Sequence, residues 1–138
     1  MKQILIVDDE KLLLVSLARY LSNEDIKVKT AENGSDALKE VSSSLYQLCF
    51  LDVNLPDING LDVMKEMKAS SPQTKVVIMT AEYVTEEMKK EIEGRADYFI
   101  AKPFELIHIK TIVEVVLGKK NSHPVPPLIK GSALESGT

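Results

Sequence analysis

Strand-like apolar runs alternate with amphipathic helical patterns along the chain, and that alternation limits the folds available to it. Strands are predicted over 3–7, 26–30, 48–52, 75–79 and 98–101, and helices over 10–23, 34–43, 59–70, 84–93 and 105–118. Leu14, Leu17, Ala18 and Leu21 form one apolar stripe at i, i+3, i+4, i+7, and Ile109, Ile112, Val113 and Val116 form another. The runs Ile4-Leu5-Ile6-Val7, Leu48-Cys49-Phe50-Leu51 and Val76-Val77-Ile78-Met79 are continuous, as strands covered by helices on both faces require. Ile26-Lys27-Val28-Lys29-Thr30 alternates instead, which suits an edge strand with its lysines in water. Strict βα alternation implies right-handed crossovers. The expected fold is α/β, a flavodoxin-like doubly wound five-stranded parallel sheet of order 2-1-3-4-5 with five helices.

Parallel strands all end at one edge, where open α/β sheets hold their ligands. Four of the runs deliver polar residues there: Asp8-Asp9, Asp52, Thr80 and Lys102. Clustered carboxylates raise one another's pKa unless a cation sits among them. Oxygen ligands suit Mg²⁺, whereas the two histidines, His108 and His123, fall on a helix and in the tail and offer no zinc cluster. A carboxylate beside a metal and a lysine can attack phosphorus. The ammonium of Lys102 and the hydroxyl of Thr80 would then serve the phosphoryl oxygens.

Composition narrows the classes. A chain of 138 residues with 44% hydrophobic content is expected to form one soluble domain. Its net charge of −4 and lack of a basic stripe argue against nucleic acid as a direct partner. Cys49 lies within an apolar run and reads as a small buried hydrophobe. A single cysteine has no internal disulfide partner, and no run has the length of a membrane span or an export signal, so the cytoplasm is the expected compartment. Residues 119–138 carry Pro124, Pro126 and Pro127 with glycines and serines, so a domain over 1–118 is expected to be followed by a linker-like or disordered tail.

The motifs Ile6-Val7-Asp8-Asp9-Glu10, Leu51-Asp52-Val53-Asn54-Leu55-Pro56-Asp57-Ile58-Asn59-Gly60, Met79-Thr80-Ala81 and Ala101-Lys102-Pro103-Phe104 together resemble the receiver domain of bacterial two-component response regulators, over residues 3 to about 118. The resemblance implies that Asp52 is a phosphoacceptor served by a sensor histidine kinase. It implies that Asp9 ligates Mg²⁺ directly, Asp8 through water, and Asn54 by its main-chain carbonyl. Thr80 would be the switch hydroxyl, Lys102 the phosphoryl partner, and the Lys102-Pro103 bond cis. Asn54 and Glu82 hold the positions that control dephosphorylation in that family, and both leave a path for water, so fast self-dephosphorylation is expected. Two departures stand out: Arg95-Ala96 where Gly-Ala is common, with Gly94 one place early, and Phe99 at the switch position where tyrosine is commoner.

Two rivals share parts of this pattern. A haloacid-dehalogenase-type phosphatase also uses an aspartyl nucleophile with Mg²⁺, but it places a second aspartate where this chain has Asn54, and it needs room for a cap domain. A flavodoxin-like flavin binder needs a Ser/Thr/Gly-rich phosphate loop where Asp8-Asp9-Glu10 stands. The favoured reading is a regulatory receiver whose chemistry is confined to its own phosphorylation and dephosphorylation. Extra apolar residues Leu106, Ile107, Val115 and Leu117, with Tyr83, Val84, Met88 and Ile92, suggest a homodimer or effector surface on the fourth helix, fifth strand and fifth helix.

Overall fold

The computed structural model describes residues 1–81 and 84–118. The tail at 119–138, Glu82 and Tyr83 lie outside them. Among the described residues five strands, β1 (Lys2–Val7), β2 (Ile26–Ala31), β3 (Leu48–Asp52), β4 (Lys75–Thr80) and β5 (Tyr98–Ala101), alternate with five helices. The helices are α1 (Lys11–Leu21), α2 (Gly34–Ser43), α3 (Gly60–Ser70), α4 (Glu86–Arg95) and α5 (Leu106–Leu117). All strand pairs are parallel, and their order is β2-β1-β3-β4-β5. β2 lies at the edge with Lys27 and Lys29 exposed, as its alternation requires.

The period of two along each strand divides the core in half. Leu5, Val7, Cys49, Leu51, Val76 and Ile78 face α2, α3 and α4. Ile4, Ile6, Leu48, Phe50, Val77 and Met79 face α1 and α5. Each such side chain contributes about 1.5–3 kcal/mol when fully buried, which is why these runs contain no polar residue before their ends.

Helix boundaries differ from the expected ones by a residue or two for identifiable reasons. α1 stops at Leu21 because the Asn23 side chain accepts from the Asp25 and Ile26 amides and turns the chain into β2. α4 starts at Glu86, after the Thr85 hydroxyl caps the Met88 amide. It runs through Gly94 to Arg95, helped by the Glu91–Arg95 ion pair, so the displaced glycine does not end the helix. Two residues, Ala96 and Asp97, then reach β5, and Asp97 accepts from the Val76 amide and from Lys68 Nζ, both at 2.9 Å.

The expected apolar surface needs one correction. Ile92 is fully buried against the sheet, and Val84 and Met88 pack beside the same core, so α4 spends these residues inward. On α5, Leu106, Ile107 and Val115 are exposed, while Val116 and Leu117 pack against the core.

Candidate functional site

Register sets the geometry of the edge. Val7 lies opposite Leu51, Asp52 opposite Met79, and Thr80 opposite Ala101, so the residues that follow or end these strands come level with one another. The Asp8 amide bonds to Ala31 O, that of Val53 to Met79 O, and that of Lys102 to Thr80 O, extending the ladder just past the strand ends. Asp8, Asp9 and Asp52 thereby gather, each with a carboxylate oxygen within 4.8 Å of the others. Asp8 and Asp52 are buried, at 0% and 5% exposure, and Asp9 faces solvent.

Lys102 crosses the site from the end of β5. Its Nζ donates to Asp8 Oδ2 at 2.5 Å and lies 3.5 Å from Asp52 Oδ2 and 3.6 Å from Glu10 Oε1. The Lys102-Pro103 bond is cis. Burial raises the Asp52 carboxyl pKa, the Asp8 charge adds to the rise, and Lys102 and the Asn54 amide offset only part of it. Burial works against the Lys102 ammonium, but the Asp8 hydrogen bond and the charges of Asp52, Asp8 and Glu10 outweigh it, and its pKa is raised. The Asp8, Asp9 and Asp52 carboxylates, with a single ammonium beside two of them, leave uncompensated negative charge in a mostly buried, all-oxygen cluster, and this donor set fits Mg²⁺.

The remaining expected residues fall around this cluster. Thr80 ends β4, buried, between Asp52 and Lys102 in strand order. Asn54 is exposed at the start of the β3–α3 loop, and its amide lies 3.4 Å from Asp52 Oδ1. Phe99, at 7% exposure, packs inward with Ile92, Val84 and Met88. Glu82 lies outside the described residues.

Three further groups, absent from the expected site, shape its surroundings. Glu10 adds a third carboxylate to Lys102. Gly60 packs on the end of β3: a Cβ there would stand 2.0 Å from Asp52 O and 2.7 Å from Val53 Cα. Asp57 bonds across the loop to α2. Asn-Gly is a turn dipeptide, but the approach of Gly60 to Asp52 involves no local pattern. A cleft of about 540 Å³ lined by Glu10, Leu13, Ala81, Lys102, Pro103 and Phe104 opens beside Lys102.

Comparisons with known proteins agree with this geometry. The response regulator receiver domain family matches residues 4–114. The response regulator ArlR of Staphylococcus aureus (strain Mu50 / ATCC 700699) is 33% identical over 120 residues, covering 87% of this chain and 54% of ArlR. The chain thus spans about half the length of the curated relatives it matches. The response regulator TrrA of Thermotoga maritima, solved in complex with Mg²⁺-BeF, is 34% identical with a TM-score of 0.72, covering 84% of this chain and 99% of TrrA. TrrA has also been solved in complex with the histidine kinase ThkA; that structure matches at 34% identity and a TM-score of 0.72, covering 85% of this chain and 99% of TrrA. With a match over most of its length, and with an aspartate cluster and a lysine at the carboxyl edge of a 2-1-3-4-5 sheet, the chain belongs to the response regulator receiver domain family.

Proposed function

We propose that this chain is a phosphorylation-operated switch in which Asp52 accepts a phosphoryl group from a sensor histidine kinase. The observation that carries the reading is the Lys102 ammonium lying between buried Asp8 and Asp52 on the fold edge where Asp9 joins them. In the transfer, an Asp52 carboxylate oxygen forms a bond to phosphorus as the bond from phosphorus to the donor histidine nitrogen breaks. Lys102 pairs with a phosphoryl oxygen, and the Thr80 hydroxyl donates to another. Asp9 would hold Mg²⁺ directly, Asp8 through water, and Asp52 and the Asn54 carbonyl would complete the protein's ligands. The ion supplies positive charge to the triad and to the phosphoryl oxygens.

On this reading residues 1–118 form the regulatory unit, act in the cytoplasm and perform chemistry on themselves alone. Asn54 and Glu82 set the access of the hydrolytic water. Thr80 and Phe99 pass the phosphoryl state to α4, β5 and α5, where Leu106, Ile107 and Val115 present an apolar surface to an effector or a second copy. The Phe99 ring lacks the tyrosine hydroxyl, so its inward packing depends on apolar contact.

The test is incorporation of phosphate from a small phosphodonor such as acetyl phosphate. Asp52→Asn and excess EDTA are each expected to abolish it. Incorporation that persists under either condition refutes the proposal, and steady release of phosphate from unrelated monoesters would favour the phosphatase reading instead.

A further inference from the structure

We infer that Asp57 is a positioning residue, whose carboxylate holds the β3–α3 loop, and with it Asn54, against the first turn of α2. The inference rests on the proposed reading of Asn54 as a residue on the metal side of the site. Asp57 Oδ1 accepts from the Gly34 amide at 2.8 Å and from the Ile58 amide at 2.8 Å, and Oδ2 accepts from the Ser35 amide at 2.9 Å. Two of these donors are the first amides of α2, which have no partner within the helix, and a carboxylate there also meets the positive end of the helix dipole. The Gly34 and Ser35 amides, with that of Ile58, hold the exposed Asp57 carboxyl below the usual carboxylate range.

The clasp spans more than twenty residues of sequence, so it ties two separate elements together rather than shaping a local turn. Its close fit depends on Gly34, where a Cβ would meet Val63 Cγ2 at 2.8 Å and Ile58 Cβ at 3.1 Å. The loop's two ends are fixed independently: the Val53 amide bonds to Met79 O, and the Gly60 amide bonds to Val53 O at 2.7 Å. Between those anchors Leu55 and Ile58 pack partly buried against the core, and Asp57 supplies the loop's polar tie to α2. Asn54 stands one residue beyond the first anchor and three before Asp57. The path of its main chain is therefore set by the anchor on one side and the clasp on the other.

The experiment compares the parent with Asp57→Ala, Asp57→Asn and Asn33→Ala. Asn33 caps the same helix by accepting from the Asp36 amide, and none of its bonds reaches the loop, so its variant weakens α2 alone. Amide exchange followed by NMR without Mg²⁺ reads the loop, and calorimetric titration with MgCl₂ reads the site. Asp57→Ala is expected to speed exchange at Asn54 about tenfold, as loss of a charge-assisted hydrogen bond implies, while the Gly60 amide, held by its own bond to Val53 O, stays near the parental rate. It is expected to raise the Mg²⁺ dissociation constant by about tenfold, as changes behind a ligand commonly do. Asp57→Asn, which keeps one acceptor oxygen, should fall between the two. Asn33→Ala should leave both readouts within about twofold of the parent, since no cap bond to the loop is lost. Parental exchange in Asp57→Ala, or an equal effect from Asn33→Ala, overturns the inference. If Asp9→Asn leaves Mg²⁺ affinity unchanged, the ligand reading fails; the metal-free exchange data then still decide whether Asp57 holds the loop.

Discussion

Replacing Gly60 by alanine tests how closely the start of α3 is fitted to the end of β3. The added methyl carbon would lie 2.0 Å from Asp52 O, 2.7 Å from Val53 Cα and 2.9 Å from Asp52 C. Ordinary contact needs about 3.5 Å, so the chain must part by about 1.5 Å, and every atom met is backbone that has no rotamer to escape into. Overpacking of this kind costs about 1–3 kcal/mol. Drawing α3 away also weakens the Gly60 amide bond to Val53 O, now 2.7 Å long, for about 1 kcal/mol more. A total of about 2–4 kcal/mol in a domain of this size lowers the melting temperature by about 8–16 °C. The displaced carbonyl belongs to Asp52 itself, and a misplacement of about 1 Å can cost about a hundredfold in rate, so phosphorylation should fall well beyond the loss of folded protein. Gly94→Ala is the control: that position is helical, a Cβ there would meet no heavy atom within 4 Å, and the variant should gain about 0.5 kcal/mol. Thermal unfolding by circular dichroism without Mg²⁺, with acetyl phosphate kinetics, measures both variants. A Gly60→Ala protein melting within about 2 °C of the parent and phosphorylated at the parental rate would show that α3 is not seated tightly on the end of β3.

Asp52→Asn should stabilise the chain at neutral pH. The folded carboxyl has a raised pKa, chiefly through burial and then through Asp8, so the proton stabilises the fold at low pH and that stability is lost as pH rises through the folded pKa. The variant's advantage in urea unfolding should therefore vanish on acidification below the carboxylate range; an advantage independent of pH would contradict this account. Tyr46→Phe should cost about 2 kcal/mol in urea while leaving phosphorylation unchanged, because the buried Tyr46 hydroxyl donates to Glu40 Oε1 at 2.6 Å and neither residue belongs to the Asp8, Asp9, Asp52 and Lys102 cluster. An Asn54→Lys/Glu82→Tyr double variant should retain phosphate longer than the parent; a decay rate at or above the parental one would remove both residues from control of the hydrolytic water.

The fold and most of the cluster were legible because both depend on short-range pattern. Continuous runs such as 4–7 and 48–51 predict strands buried on two faces, alternation at 26–30 predicts the edge, and parallel strands then carry Asp8, Asp52, Thr80 and Lys102 to one edge. Helix limits were less legible, since α1 ends just before a turn made by the Asn23 side chain and α4 begins on the Thr85 side-chain cap, and such local bonds compete with helical amide bonds by small margins.

Periodicity along the chain specifies the sheet, the order of its strands and the residue types at its carboxyl edge. Tertiary structure decided which of those groups touch: the Lys102 ammonium on Asp8 with Asp52 and Glu10 farther off, the Asp57 clasp on α2, the seat of Gly60 on Asp52, and the inward packing of Ile92 and Phe99. Periodicity is a property of neighbours a few residues apart, and the chain repeats it where it must bury a face. These contacts join residues from different elements, and they depend on distances of a few tenths of an ångström that only the packed helices and sheet establish.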